Sequence, residues 1–312
     1  MKKLKSFFSV FKSAFKGFID DNAFKLSASL SYYTIFSMGP LLIIIISLAG
    51  IFFKKDDVQG RIYGQIKGFV GSDAALQIQE IIKNIQETGG GHLGAIVGVI
   101  ILIIGATGVF IEMQDSINFI WSVKAKPKKG WLKFLINRAI SFSLIVSIGF
   151  MLLVSLIISA VLDALSSRLI QYFSDFTYII YIINLIILLV VTSSLFAIIF
   201  RVLPDAHIRW KDAFIGAIFT SMLFLIGKFG ITYYLGAVNL GITYGAAASI
   251  IIILTWVYYS SLILYFGAEF TKMYAIQKGG GIQPNDTAVF IIKKESKEAP
   301  HMHIHPEERT AP

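Results

Sequence analysis

The chain has 312 residues, of which 55% are hydrophobic and only 15% charged. Its mean hydropathy is +0.72. A soluble domain carries about 25% charged residues, so a water-soluble globule is excluded as the main architecture. With no cysteine, disulfides, thiolate catalysis and cysteine metal sites are excluded as well. The formal charge of +9 would fit a nucleic-acid binder, but the placement of the charges gives it another cause.

Residues 4–19 read LKSFFSVFKSAFKGFI. Phe7, Phe11, Phe15 and Phe18 recur at helical spacing, with Lys5, Lys12 and Lys16 among them. The pattern predicts a basic amphipathic helix. It can lie in the headgroup layer or pack on the protein through its Phe face, and both readings stand. No cleavable signal peptide is expected, because the first long apolar stretch begins only near Leu30.

Six apolar runs follow, over residues 30–53, 93–111, 140–162, 178–200, 213–234 and 244–268. Each is close to the ~20 residues that cross a hydrocarbon core of about 30 Å. The first is polar in its first half, with Ser31, Tyr32, Tyr33, Thr34 and Ser37, and carries Pro40 near its middle. Proline frees a backbone carbonyl, so a broken helix facing other helices or a wet cavity is expected. Residues 54–92 form the longest loop, with a surface helix over residues 73–87. Asn184, Thr192, Ser193 and Ser194 suit hydrogen bonds between helices. The expected fold is all-α: six transmembrane helices in a single domain, residues 1–275, followed by a disordered tail, residues 276–312.

Of the 28 Lys and Arg residues, seven fall on one side of this arrangement: Lys54, Lys55, Arg61, Lys67, Lys83, Arg168 and Lys228. The other 21 fall on the side that holds both termini. The positive-inside rule makes that side cytoplasmic, with N-in and C-in topology. The basic excess is then a topology signal and an attraction to anionic lipid headgroups, and nucleic acid is not expected as a partner.

Glu112, Asp115 and Asn118 are spaced three apart, so they are expected to share a helix face at the cytoplasmic boundary of the second run. They form either a polar mouth for a headgroup or cation, or a helix end paired with Arg138 or Arg201. Glu269 closes the sixth run and could pair with Arg201, Arg209 or Lys211; Arg201 and Asp205 flank Pro204 in a short loop. Such a network either ties helix ends together or couples to a substrate. His301, His303 and His305 alternate in the tail without converging partners, so no metal and no cofactor is expected. No phosphate-cradling loop, zinc-protease motif or nucleophile with its base occurs, and neither ATP coupling nor catalysis is expected.

Four stretches together resemble the YihY/virulence factor BrkB family of bacterial inner-membrane proteins, long labelled ribonuclease BN. They are ASLSYYTIFSMGPLL (28–42), ATGVFIEMQDSINFIW (106–121), LPDAHIRWKDAFIGA (203–217) and YGAAASIIIILTWVYYSSLILYFGAEFTKMYA (244–275). The resemblance spans residues 15–275. It singles out Tyr32, Pro40, Asn118, Trp121, Pro204, Trp210, Tyr244, Gly245, Trp256, Gly267 and Glu269 as motif positions, not as an assigned site. Ribonuclease activity is not expected, because RNA hydrolysis needs a metal site or an acid/base pair in an aqueous groove. The leading expectation is a non-ATP transporter or lipid-handling protein of the inner membrane, with membrane lipids and membrane proteins as partners. The alternative is a scaffold for envelope assembly. The candidate positions are Tyr32, Thr34, Pro40, Glu112, Asp115, Asn118, Arg201, Asp205 and Glu269.

Overall fold

The computed structural model describes residues 2–52, 75, 76, 79, 108–126, 176–237 and 248–292. The proposed spans over 140–162 and most of 93–111, and the His run of the tail, lie outside the described residues. So does most of the 73–87 segment, of which residues 75, 76 and 79 are helical.

Helix α1 is Lys2–Asp20 and α2 is Ala23–Phe52. Asn22 makes the corner between them, with φ of 53°. Asparagine tolerates this left-handed conformation better than most residues. Its carbonyl then accepts the amides of Lys25 and Leu26 and starts α2. Helix α3 comprises residues 108–120 and ends at Ser122, which also has a positive φ. Strand β1 (Val123–Ala125), α4 (Phe176–Val202), β2 (Ala206–His207), α5 (Trp210–Ala237), α6 (Ala248–Gln277), β3 (Gln283–Pro284) and β4 (Ala288–Phe290) complete the described elements.

Helix α6 is the hub, packing against α1, α2 and α5, while α4 packs on α5. The α1 helix settles one open question from its sequence. Val10, Ala14 and Phe18 are buried, and the rings of Phe7, Phe11, Phe15 and Phe18 meet Phe219, Phe266 or Phe270. The Phe face therefore packs on the protein. Phe8, Phe15 and Ile19 nevertheless remain largely exposed.

Two expectations change. Helix α2 runs unbroken through position 40, since one missing amide need not end a helix of 30 residues. Two of the hydroxyls of α4 return to their own helix: Thr192 donates to Leu188 O at 2.7 Å and Ser194 to Val190 O at 2.8 Å. A back-bonded hydroxyl is satisfied locally and needs no neighbouring helix.

The α5–α6 contact is reciprocal. Gly216 of α5 faces Thr271 of α6, and Gly267 of α6 faces Thr220 of α5. Each threonine donates to the glycine carbonyl four residues earlier in its own helix, both at 2.7 Å. Each glycine leaves room for the other helix's threonine, so the two backbones approach closely and neither threonine hydroxyl is left unsatisfied.

The C-terminal segment is ordered where the sequence suggested disorder. Residues 276–292 finish α6, turn at Gly279–Gly281, and form β3 and β4. Strand β4 pairs antiparallel with β1, Val123 opposite Phe290, and β3 pairs with β2, Ala206 opposite Pro284. Asp212 accepts the Gly280 amide at 2.9 Å. A Cβ at Gly279 would strike the Asp212 carboxylate and one at Gly280 the Arg209 guanidinium. The glycines mark a tight turn against α5, and residues 282–292 form a strap, while residues 293–312 lie outside the described residues.

Gly267→Ala is expected to lower stability by about 1–3 kcal/mol through overpacking. Thr220→Ala in the same chain should recover part of that loss. It removes Oγ1 and Cγ2, but Thr220 Cβ would still lie 2.8 Å from the new methyl. Thermal unfolding of the detergent-solubilised protein, followed by tryptophan fluorescence, reads both outcomes.

Candidate functional site

The polar residues converge where the ends of α3, α4 and α6 and the start of α5 meet. Around them lie the best buried apolar side chains, among them Ile117, Ile120, Phe200, Leu203 and Tyr265. Asn118 and Asp205 meet here although 87 residues apart. Asn118 Nδ2 donates to Asp205 Oδ2 at 2.9 Å, and the Asp205 amide donates to Asn118 Oδ1 at 2.8 Å. They are 5% and 9% exposed. The Asp205 carbonyl accepts the amide of Asn285, so the strap closes over the pair. Both members of the Asn118 amide and one carboxylate oxygen are thereby used, which a buried pair requires.

Glu112, Asp115 and Asn118 do not share one face. A step of three residues turns a helix by 300°, so two steps leave a rotation of about 120° between the ends. Asn118 accordingly points to the core, Glu112 is half-buried and Asp115 is exposed. Arg201, one proposed partner for this helix end, turns elsewhere: its Nη1 lies 2.9 Å from His207 Nδ1, and its guanidinium sits 5.7 Å over the Trp210 ring. Arg138 lies outside the described residues.

Glu269 is fully buried, at 0% exposure. Its cation is neither Arg201, Arg209 nor Lys211 but Lys272, one turn further along α6, with Nζ 3.4 Å from Oε2. The same Nζ lies 3.6 Å from Asp21 Oδ2 at the α1–α2 corner and donates to the Ile120 carbonyl at the end of α3. Lys272 thus joins three elements. Helix α1 crosses directly over Glu269: a Cβ at Gly17 would come within 2.7 Å of Oε2. Trp121 adds a further tie, its Nε1 donating to the Ala268 carbonyl at 3.1 Å.

Of the other candidates, Tyr32 is 60% exposed on α2, and the Thr34 hydroxyl bonds back to Leu30 O at 2.7 Å. Among the described residues neither takes part in the cluster's hydrogen bonds. Ser37, by contrast, is buried and faces Gly108, where a Cβ would lie 3.5 Å from its Oγ, so the polar half of α2 does face a neighbouring helix. Sequence reasoning missed Gly17, Asp21, Asp212 and Lys272. Lys272 carried a readable signal, because it stands three residues after Glu269 on the same helix. Among the described residues no three His, Asp or Glu side chains converge as metal ligands.

Leu185–Val202, Trp210–Leu235 and Ile250–Gln277 are long and apolar enough to cross a bilayer. With most of their charged and amide side chains at one end, Lys228 being the exception, they define an α-helical membrane protein. The chain belongs to the virulence factor BrkB family, whose model matches residues 14–289. That match continues past residue 275 and includes β3 and most of β4. Similar proteins include UPF0761 membrane proteins of Saccharophagus degradans (26% identical over 266 residues, covering 85% of this chain and 59% of the relative), Alteromonas mediterranea (24% over 277 residues, 86% and 87%) and Vibrio vulnificus (28% over 253 residues, 78% and 74%). The chain spans about three fifths of the length of several such relatives. No solved structure matches.

Asn118→Ala and Asp205→Ala should each cost about 1–3 kcal/mol, because each strands a buried polar partner. The double variant should lose clearly less than the sum of the two. A double-mutant cycle on thermal unfolding measures the coupling, and strict additivity would break the pairing.

Proposed function

We propose that this protein is a non-ATP, non-enzymatic transporter of the bacterial inner membrane, taking amphiphilic cargo such as a phospholipid or a glycolipid precursor. Its partners are then membrane lipids, with anionic headgroups at the cytoplasmic face, and other membrane proteins, rather than nucleic acid. The observation that carries the reading is the outer face of α1. Phe8 and Phe15 are 67% and 56% exposed, with Ile19 beside them and the exposed Lys12 and Lys16 interleaved. Water disfavours such a stripe. A headgroup layer accepts it, the rings entering the acyl boundary and the ammonium groups reaching phosphate. The exposed rings of Tyr32, Tyr33 and Phe36 continue an apolar exterior along α2. Gln277 at the end of α6 donates to Ser13 of α1 at 3.1 Å, so α1 and the C-terminal strap lie at the same end of the helices. An N-in, C-in topology requires that placement.

The scaffold reading draws support from a different observation. Asn118 and Asp205 satisfy each other and the strap stitches two loops together, which suits a rigid face more than an open path.

Leaflet exchange in liposomes separates the two. The purified protein is reconstituted with labelled phospholipids and exchange is followed by dithionite quenching. Exchange well above protein-free liposomes is expected. The Lys12→Glu/Lys16→Glu variant should slow an anionic lipid more than a zwitterionic one, since each basic residue near an anionic surface contributes about 1 kcal/mol. No exchange across several lipid classes would overturn the transport reading in favour of the scaffold.

A further inference from the structure

A cation without an anion stands where α4 ends and α5 begins. Arg201 Nη1 lies 2.9 Å from His207 Nδ1, and the guanidinium sits 5.7 Å over the Trp210 ring. Arginine only donates, so His207 Nδ1 is the acceptor and the imidazole is neutral, with its hydrogen on Nε2. Neither the imidazole nor the indole face cancels the positive charge. Arg201 Nε is buried without a hydrogen-bond partner, and among the described residues no carboxylate forms an ion pair with this guanidinium. The two acids of the same loop are engaged elsewhere, Asp205 with Asn118 and Asp212 with the Gly280 amide. Arg209 turns to Gly280 of the strap. Lys211 is left as a second exposed cation, next to Trp210 in the sequence.

The depth of this charge in the bilayer decides what can answer it. The apolar span of α4 ends at Val202, one residue beyond Arg201, and that of α5 starts at Trp210. Arg201 therefore sits at the headgroup boundary, where a tryptophan is at home and lipid phosphates are the abundant anions. Towards the bilayer centre α5 exposes Phe214, Ile218 and Met222, at steps of four from Trp210. Trp210 and Phe214 already lie together, with ring centroids 5.9 Å apart. From Trp210 to Met222 the helix rises about 18 Å, close to half of a hydrocarbon core of about 30 Å. We infer that Arg201, His207 and Trp210 hold the phosphate of one anionic phospholipid, whose acyl chain lies along Phe214, Ile218 and Met222. The guanidinium fork suits phosphate oxygens, and His207 Nε2–H supplies a further donor. Lys211 favours a headgroup of net negative charge over a zwitterionic one. The site gives the anionic-lipid partner a place on the protein, but it needs only that α4 and α5 cross the bilayer. A protein that moves no lipid between leaflets can still hold this one.

Native mass spectrometry of the full-length protein tests the site, after release from micelles containing phosphatidylglycerol or phosphatidylcholine. The wild type is expected to retain one phosphatidylglycerol and to hold phosphatidylcholine less well. Arg201→Gln should weaken retention of phosphatidylglycerol about fivefold, the factor for one basic contact with an anionic lipid. Lys211→Glu, at an exposed position, should narrow the preference between the two lipids; that variant decides the matter if Arg201→Gln fails to fold. Lys124→Glu, an exposed charge reversal on β1, should change neither lipid. The inference is overturned if the wild type holds both lipids equally, or if Arg201→Gln and Lys211→Glu behave as the wild type does. Equal loss in Lys124→Glu would overturn it in favour of diffuse attraction to the whole basic surface. Displacement of the lipid by an equal concentration of glycerol 3-phosphate would overturn it in favour of a soluble phosphate ester.

Discussion

How near other helices can come to α6 decides the arrangement at this end of the protein. Three glycines set that distance. Gly216 and Gly267 bring α5 and α6 together, and Gly17 lets α1 lie across the Glu269 carboxylate. In a bilayer the lipid tails are as apolar as the side chains, so burial alone drives little helix association. Close backbone packing and hydrogen bonds must supply it. The threonines opposite the glycines contribute methyl groups to the contact while returning their hydroxyls to their own helices. A wider spacing between α1 and α6 would open Glu269 to water and part Lys272 from Asp21.

Around that frame the polar groups are arranged in two sets. The Asn118–Asp205 pair meets most of its own hydrogen-bonding needs and is sealed by Asn285. The Asp21–Glu269–Lys272 set is ionic: Lys272 Nζ stands between the two carboxylates and donates to the Ile120 carbonyl, where four elements meet.

Much of this was legible in the residues. The apolar runs located α4 and α5 to within three residues at each end, 178–200 against Phe176–Val202 and 213–234 against Trp210–Ala237. The sixth run was placed at 244–268, whereas α6 is Ala248–Gln277. Hydropathy ends a helix at its first charged residue, but Glu269 and Lys272 are answered inside the protein, so the helix continues through them. The motif NFIW and the motif LPDAH gave no sign that Asn118 and Asp205 touch, because sequence periodicity reports neighbours on one helix and not partners 87 residues away. The strap was lost for a related reason. Three successive glycines read as a flexible start to a polar tail, and only the facing Asp212 and Arg209 reveal that a side chain there would collide.

The pairing of β1 with β4 has a bearing on how the protein is made. Val123 cannot find Phe290 until some 170 further residues have left the ribosome. By then the helices between them have been handed to the membrane. The loop after α3 therefore stays unlatched at this end until β4 has emerged and can lock it in place.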